Sequence, residues 1–169
     1  LDEDLHLDRL DYSLIELAIA EPMSRPALKL VMREVIRRNR LRNAILYIQV
    51  SRGVAPREHS FAENLKSVLV MTVRPLSPAK REAVHRDGID VISVPDQRWA
   101  RCDIKSISLL PNVLARQKAR DAKVQEAWQI DEQGMVTEGA ATNAWIVDNQ
   151  GFLRTHAAKG EILNGIVRQ

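Results

Sequence analysis

The 169-residue chain has 45% hydrophobic and 28% charged residues, a composition typical of a folded globular protein. Its 25 Lys and Arg against 22 Asp and Glu leave a net charge of only +3, which does not indicate a nucleic-acid partner. The single cysteine, Cys102, excludes an internal disulfide and a cysteine-rich zinc site, and no apolar stretch reaches membrane-spanning length, so we expect a cytoplasmic protein without a membrane partner.

The first half of the chain predicts two helices followed by two strands. Leucines recur at helical spacing near the start, at Leu7, Leu10, Leu14 and Leu17. A second helix is expected to begin after Ser24, with Pro26 in its first turn, and to end near Asn39. The β-branched and aromatic runs at 44–50 and 67–73 then predict two buried strands that pair.

The run Pro75, Ser77 and Pro78 predicts a change of domain. We expect a small N-terminal domain over residues 1–79 that lacks its first segment, a linker over residues 80–82, and the beginning of a larger domain over residues 83–169. A short charged helix to about residue 86 and a strand over 89–94 follow the prolines. Beyond them the pattern predicts a Trp-containing strand over 98–104, a helix over 111–123, and strands over 126–130, 143–147 and 152–155.

Both ends of the chain predict an internal piece of a longer protein. It opens at Leu1 within a helical pattern, and it stops just after Gly165, where a loop could turn into a helix. We therefore expect an α+β protein that is truncated at both ends.

Three potential anion donors follow the first predicted strand. Arg52, Arg57 and His59 lie within eight positions of one another, and arginine suits a carboxylate because its planar fork donates two parallel hydrogen bonds. On these residues alone, a solvated loop with unrelated charges is the simpler interpretation.

Two further residues could carry chemistry. Lys105 follows the predicted strand at 98–104 among apolar neighbours, and desolvation there would lower the pKa of its amine and make it nucleophilic. Taken alone, such a lysine is ordinarily a surface residue. Glu138 precedes a glycine and small residues, a pattern that also ends an ordinary strand. His6 and His85 lack metal-ligand spacing, so we expect no metal site.

Separated segments of the chain resemble, in order, the class IV (fold-type IV) pyridoxal-phosphate-dependent aminotransferases, and within them the D-amino-acid branch. The segments are HLDRL, YIQVSRGVAPREHSF, DQRWARCDIKSISLLPNVLARQKA, MVTEGAATNAWIV and ILNGIVRQ. The resemblance implies a two-domain α+β fold, pyridoxal 5'-phosphate as cofactor, and a homodimer. It also implies transamination between a D-amino acid such as D-alanine and a 2-oxo acid such as 2-oxoglutarate.

The resemblance also implies a role for each matching residue. Lys105 would hold the cofactor as a Schiff base and move the substrate proton, and Glu138 would contact the ring nitrogen. Arg57 and His59 would bind the substrate α-carboxylate. The remaining cofactor contacts implied are Arg9, Ala141, Thr142, Leu163, Ile166 and Val167. Val167 departs from the family pattern, because threonine is common there and supplies a hydroxyl to the phosphate.

Several alternatives stay open at this point. Within the family these are a branched-chain transaminase, an R-amine transaminase and an aminodeoxychorismate lyase. From another class, the chain could be a catalytically silent relative that acts as an interaction module. Its only support is a basic run, which a solvated helix face explains more simply: Arg33, Arg37, Arg38, Arg40 and Arg42.

Overall fold

A computed structural model describes residues 1–168 of the chain, and it confirms a mixed architecture of helices and strands. Its first five elements are α1 (Glu3–Glu16), α2 (Arg25–Asn39), β1 (Ala44–Ser51), β2 (Val68–Pro75) and α3 (Pro78–Asp87). Contacts between residues divide the chain into two compact units. The first unit is Leu7–Arg86, and the second comprises Leu1–His6 together with the chain from Asp87 onward.

The first unit is built on an antiparallel hairpin. β1 pairs with β2 from Ala44 opposite Pro75 to Ser51 opposite Val68, and α2 packs against β2. The predicted strands at 44–50 and 67–73 are confirmed to within two residues. Their predicted burial is wrong, because most of their side chains stay partly or fully exposed. We call the connection between the two strands, residues 52–67, the hairpin loop.

The basic run on α2 is an exposed helix face with internal ion pairs. Arg37 and Arg38 donate to the Glu34 carboxylate at 2.7 and 2.6 Å. Hydrogen bonds from these two arginines lower the pKa of Glu34 to about 2. Two of the five arginines of the run therefore share one carboxylate of the same helix, as expected for a solvated face.

The second unit contains a three-stranded sheet with one covering helix. Its elements are β3 (Val91–Pro95), α4 (Leu110–Asp121), β4 (Glu126–Ile130), β5 (Val136–Gly139), β6 (Ile146–Val147), β7 (Leu153–Arg154) and a 3₁₀ turn over Ile166–Arg168. β3 runs parallel to β4, with α4 as the crossover, and β5 lies antiparallel to β4. The core joining α4 to the sheet uses mostly small side chains, which allow close packing: Val94, Ala115, Ala119, Ala127 and Ala140.

Three predictions for this unit need correction. Residues 98–104 form turns rather than a strand, since the Cys102 thiol donates to the Trp99 carbonyl at 3.1 Å and the Ile104 amide donates to the Arg101 carbonyl at 3.2 Å. The strands expected at 143–147 and 152–155 shrink to the two-residue β6 and β7. β5 was not predicted.

None of the helices within residues 1–168 combines the length and hydropathy needed to cross a bilayer.

Candidate active site

Glu138 is a buried carboxylate near the end of β5, with only 7% of its surface exposed. One oxygen, Oε2, accepts hydrogen bonds from Asn143 Nδ2 at 3.1 Å and from the Leu163 amide at 3.2 Å. The other oxygen, Oε1, forms an ion pair with Arg98. The structure thus joins two residues that the sequence placed at one site, Glu138 and Leu163.

Arg98 lies between two carboxylates, and only 4% of its side chain is exposed. Besides Glu138, it donates from Nε and Nη2 to Asp96 at 2.9 and 2.6 Å, and from Nη2 to the Glu161 carbonyl at 3.1 Å. The Thr137 hydroxyl adds a 2.7 Å hydrogen bond to Asp96. Because two carboxylates face one guanidinium, this cluster carries a net charge of about −1 when all three groups are ionised.

The surroundings of the cluster shift the pKa values of its two acids, Glu138 and Asp96, in opposite directions. Burial raises the pKa of Glu138 above its ordinary value, although the charge of Arg98 and the Leu163 amide partly offset it. Burial would also raise the pKa of Asp96, but hydrogen bonds from Arg98 and Thr137 outweigh it and hold that pKa below its usual value. Asp96 is therefore the more firmly ionised of the two.

Asn143 ties the segment after β5 to the segment before the 3₁₀ turn. Its Nδ2 donates both to Glu138 and, at 2.9 Å, to the Leu163 carbonyl. Gly165 comes so close to it that a Cβ added at Gly165 would lie 2.0 Å from Asn143 Oδ1. Glycine is required here because the backbone approaches a side chain that is already held by two partners.

The turn after β5 is closed around Thr142. The Gly139 amide donates to the Thr142 carbonyl at 2.7 Å, and a Cβ on Gly139 would fall 2.3 Å from Thr142 Oγ1. The Thr142 hydroxyl donates in turn to the buried carboxylate of Glu126 at 3.1 Å. Ala141 and Thr142 remain exposed at the tip of this turn, where they are available to a bound molecule.

Lys105 and the residues of the 3₁₀ turn lie in the same unit as Glu138. Lys105 follows the buried Ile104 in a loop and its side chain is exposed, so its predicted place at a strand end is wrong. In the 3₁₀ turn, Ile166 is buried and Val167 is 79% exposed.

The other three predicted site residues belong to the first unit. Arg9 lies on α1, where partial burial lowers the pKa of its guanidinium. Arg57 and His59 are exposed on the hairpin loop, and the His59 amide donates to the Glu58 carboxylate at 2.9 Å. Both side chains are therefore presented to solvent from one loop.

The sequence did not indicate the residues that hold Glu138. Arg98, Asp96 and Asn143 were not among the predicted site residues, and the only local signal was an acidic and a basic residue two positions apart. Arg98 and Glu138 are 40 positions apart in the chain, a separation that local patterns do not reveal. Among residues 1–168 no group of three His, Cys, Asp or Glu side chains could hold a metal ion.

The sequence pattern of the amino-transferase class IV family matches residues 1–169. The chain belongs to this family. It is 38% identical to the D-alanine aminotransferase of Bacillus licheniformis over 98% of this chain and 57% of that protein. It is 39% identical to the D-alanine aminotransferase of Listeria monocytogenes serotype 1/2a over 97% of this chain and 56% of that protein. This class IV chain thus spans little more than half the length of the curated relatives it matches.

Solved structures share the fold of this class IV chain. The branched-chain amino acid aminotransferase of Escherichia coli superposes with a TM-score of 0.83 at 23% identity, covering 96% of this chain and 55% of that one. A hypothetical aminotransferase from Mycobacterium tuberculosis, in a PLP-bound form, superposes with a TM-score of 0.79 at 22% identity, covering 98% and 60%. At these identities the likeness supports the fold alone.

Proposed function

We propose that the whole protein catalyses pyridoxal-phosphate-dependent transamination between a D-amino acid such as D-alanine and a 2-oxo acid such as 2-oxoglutarate. The observation that carries the proposal is the 37–39% identity to D-alanine aminotransferases over almost the whole chain. A homodimer, as expected from the family, and a cytoplasmic location, as expected from the single cysteine, belong to the same proposal.

The buried cluster around Glu138 fits the cofactor. Its net charge of about −1 suits a protonated ring nitrogen, because a buried carboxylate favours a cation beside it. A carboxylate offers about four lone-pair positions, and the contacts from Arg98, Asn143 and Leu163 use three of them. A position therefore remains for an N–H donor. When bound, pyridoxal phosphate supplies an electron sink that stabilises negative charge next to the amino nitrogen.

Most of the proposed cofactor-binding and proton-transfer roles belong to residues of the second unit. Lys105 would hold the cofactor, and its amine would take up and return the proton at the substrate α-carbon. Glu138 would keep the ring nitrogen protonated, and Ala141 and Thr142 would contact the cofactor. The phosphate contacts proposed from the family resemblance are the Ile166 and Val167 amides and the Arg9 guanidinium, and Leu163 is a further proposed cofactor contact.

Substrate recognition falls to the hairpin loop. Arg57 offers a planar pair of donors to the α-carboxylate and His59 adds another hydrogen bond. Both side chains are exposed, so neither is buried within the first unit. A carboxylate-binding pair on a loop makes amino acids, rather than simple amines, the preferred donors.

The test uses the full-length protein with 2-oxoglutarate as acceptor and D-alanine or L-leucine as donor. We expect turnover with D-alanine at least about tenfold faster than with L-leucine, because the two donors differ in configuration at the α-carbon and in side-chain size, and even a small apolar misfit costs about 10–200-fold. Arg57→Ala should raise the KM for D-alanine, whereas Arg42→Ala, on an exposed residue outside the hairpin loop, should not. Activity with L-leucine alone would overturn the substrate assignment and favour a branched-chain transaminase.

A further inference from the structure

Helix α1 ends in a motif that leaves two main-chain carbonyls available beyond its last turn. The Ala18 amide donates to the Ile15 carbonyl at 2.9 Å and the Ile19 amide donates to the Leu14 carbonyl at 2.8 Å. Ala18 takes up the left-handed conformation, with φ of 48°, which this type of helix end requires. Carbonyls at a helix C-terminus carry partial negative charge, so this end attracts a cation.

Arg52 supplies that cation from the first position of the hairpin loop. Its Nη1 donates to the Ala18 carbonyl and its Nη2 to the Leu17 carbonyl, each at 2.5 Å. The sequence offered Arg52 as an anion donor beside Arg57 and His59. That interpretation is wrong, because its two terminal nitrogens bind the main chain at the end of α1.

The same guanidinium also holds the far part of the hairpin loop. It lies over the Phe61 ring, 3.6 Å from its centroid, and a cation over an aromatic face at this distance is attracted to it. Arg52 and Phe61 flank the segment that carries Arg57 and His59. One side chain therefore connects α1, the beginning of the hairpin loop and its later part.

At the base of the hairpin loop, the backbone around Gly53 leaves no space for a side chain. With a φ of 127°, Gly53 adopts a conformation that L side chains rarely take up, and a Cβ there would lie 2.6 Å from the Lys66 carbonyl oxygen. The two ends of the loop are thus pressed together beside Arg52. Arg57 and His59 lie between Gly53 and Phe61, the two positions held by these contacts.

We propose that Arg52 is a positioning residue for substrate binding, because it fixes the hairpin loop to the end of α1 and so pre-orders Arg57 and His59 for the substrate carboxylate. The proposal rests on the proposed function of those two residues. A loop that is already ordered does not lose conformational freedom when the substrate binds, so the anchor improves affinity rather than the chemical step.

Loop order is measured without any reaction, by cleavage of the full-length protein with a glutamate-specific protease at Glu58. We expect Arg52→Ala to speed cleavage about tenfold, because local opening exposes the site. Arg52→Lys should speed it less, since an ammonium keeps the positive charge, but the rate should still exceed that of the parent because the planar fork is lost. Phe61→Leu, which removes the ring and keeps the carbonyl hydrogen bonds, should also fall between the parent and Arg52→Ala. Arg57→Ala should leave the cleavage rate unchanged.

Kinetics separate positioning from a general loss of structure. We expect Arg52→Ala to raise the KM for D-alanine about tenfold while kcat and the visible absorbance of the bound cofactor stay within about twofold. An unchanged cleavage rate would overturn the proposal, and so would a fall in kcat without a rise in KM. If Arg52→Ala is cleaved faster but the parent protein does not use D-alanine, the role of Arg52 in ordering the loop would be established and the proposed function would be overturned.

Discussion

Asn143 and Gly165 approach each other so closely that a Cβ on Gly165 would lie 2.0 Å from Asn143 Oδ1. Asn143 also donates to Glu138 and to the Leu163 carbonyl, so the position of the Glu138 carboxylate depends on this contact. The absence of a side chain at Gly165 is therefore part of how the chain builds its candidate site.

Gly165→Ala is expected to displace Asn143 and to cost about 1–3 kcal/mol, the usual range for a group forced into a packed region. Urea unfolding of the full-length protein measures this loss. In an Asn143→Ala background the added methyl meets less obstruction, so its cost should fall below about 1 kcal/mol. Equal costs in the two backgrounds would show that the collision with Asn143 is not the cause.

Arg98→Ala is expected to lower the free energy of unfolding by about 3–5 kcal/mol, because it leaves Asp96 and Glu138 as buried charges without their cation. Arg98→Lys keeps the charge but loses the fork, and we expect an intermediate loss. The matched control is Arg101→Ala in the same loop, where Arg101 is 44% exposed and pairs with Asp103. A surface pair contributes about 0–1 kcal/mol. Similar losses at Arg98 and Arg101 would contradict the structure.

Cofactor retention is expected to fall on acidification at a higher pH than an ordinary glutamate would give. Burial raises the pKa of Glu138 above its ordinary value, so the carboxylate that we propose contacts the ring nitrogen becomes neutral as the pH falls through that raised pKa. Visible absorbance of the dialysed protein across a pH series measures the retention. Glu161→Gln alters an exposed carboxylate and should leave the profile unchanged. Glu138→Gln should weaken cofactor binding at every pH and abolish the loss of retention at low pH. If the loss at low pH persists in this variant, another group causes it.

Val167→Thr is expected to tighten cofactor binding roughly fivefold, about 1 kcal/mol, because it adds a hydroxyl donor at a proposed phosphate contact. The position is 79% exposed, so the change should not disturb packing. Titration of the cofactor-free protein with pyridoxal phosphate measures the affinity. Val167→Ala serves as the control, since it shortens the side chain without adding a donor. Equal affinities for the threonine and alanine variants would place the phosphate away from this residue.

Much of the fold could be predicted because its elements carry local signals. Ser24 and Pro26 mark the start of α2, and β4 falls at its predicted bounds of 126–130. β5 escaped prediction because Thr137 and Glu138 are polar, and polar residues in a short run do not indicate a buried strand. Their burial depends on partners far along the chain, Asp96 and Arg98.

The loop at 98–104 shows the opposite error. Its alternation of Trp99, Cys102 and Ile104 with charged residues predicts a strand, yet Arg98 turns inward to two acids and the chain folds into turns. The attraction of a buried guanidinium for distant carboxylates outweighs the local preference for a strand. The family resemblance assigns a role to Lys105, and that role stays a prediction. The geometry around Glu138 required the structure.

Lys105 as the cofactor-binding residue is the central claim, and reduction with borohydride tests it most directly. The full-length protein, loaded with pyridoxal phosphate, is reduced, digested and mapped by mass spectrometry, with a Lys159→Arg protein, changed at another exposed lysine, as control. We expect the cofactor on the peptide that contains Lys105 in the parent and the control, and no label at this position in Lys105→Arg. A parent protein labelled at another lysine, or at none, would contradict the account.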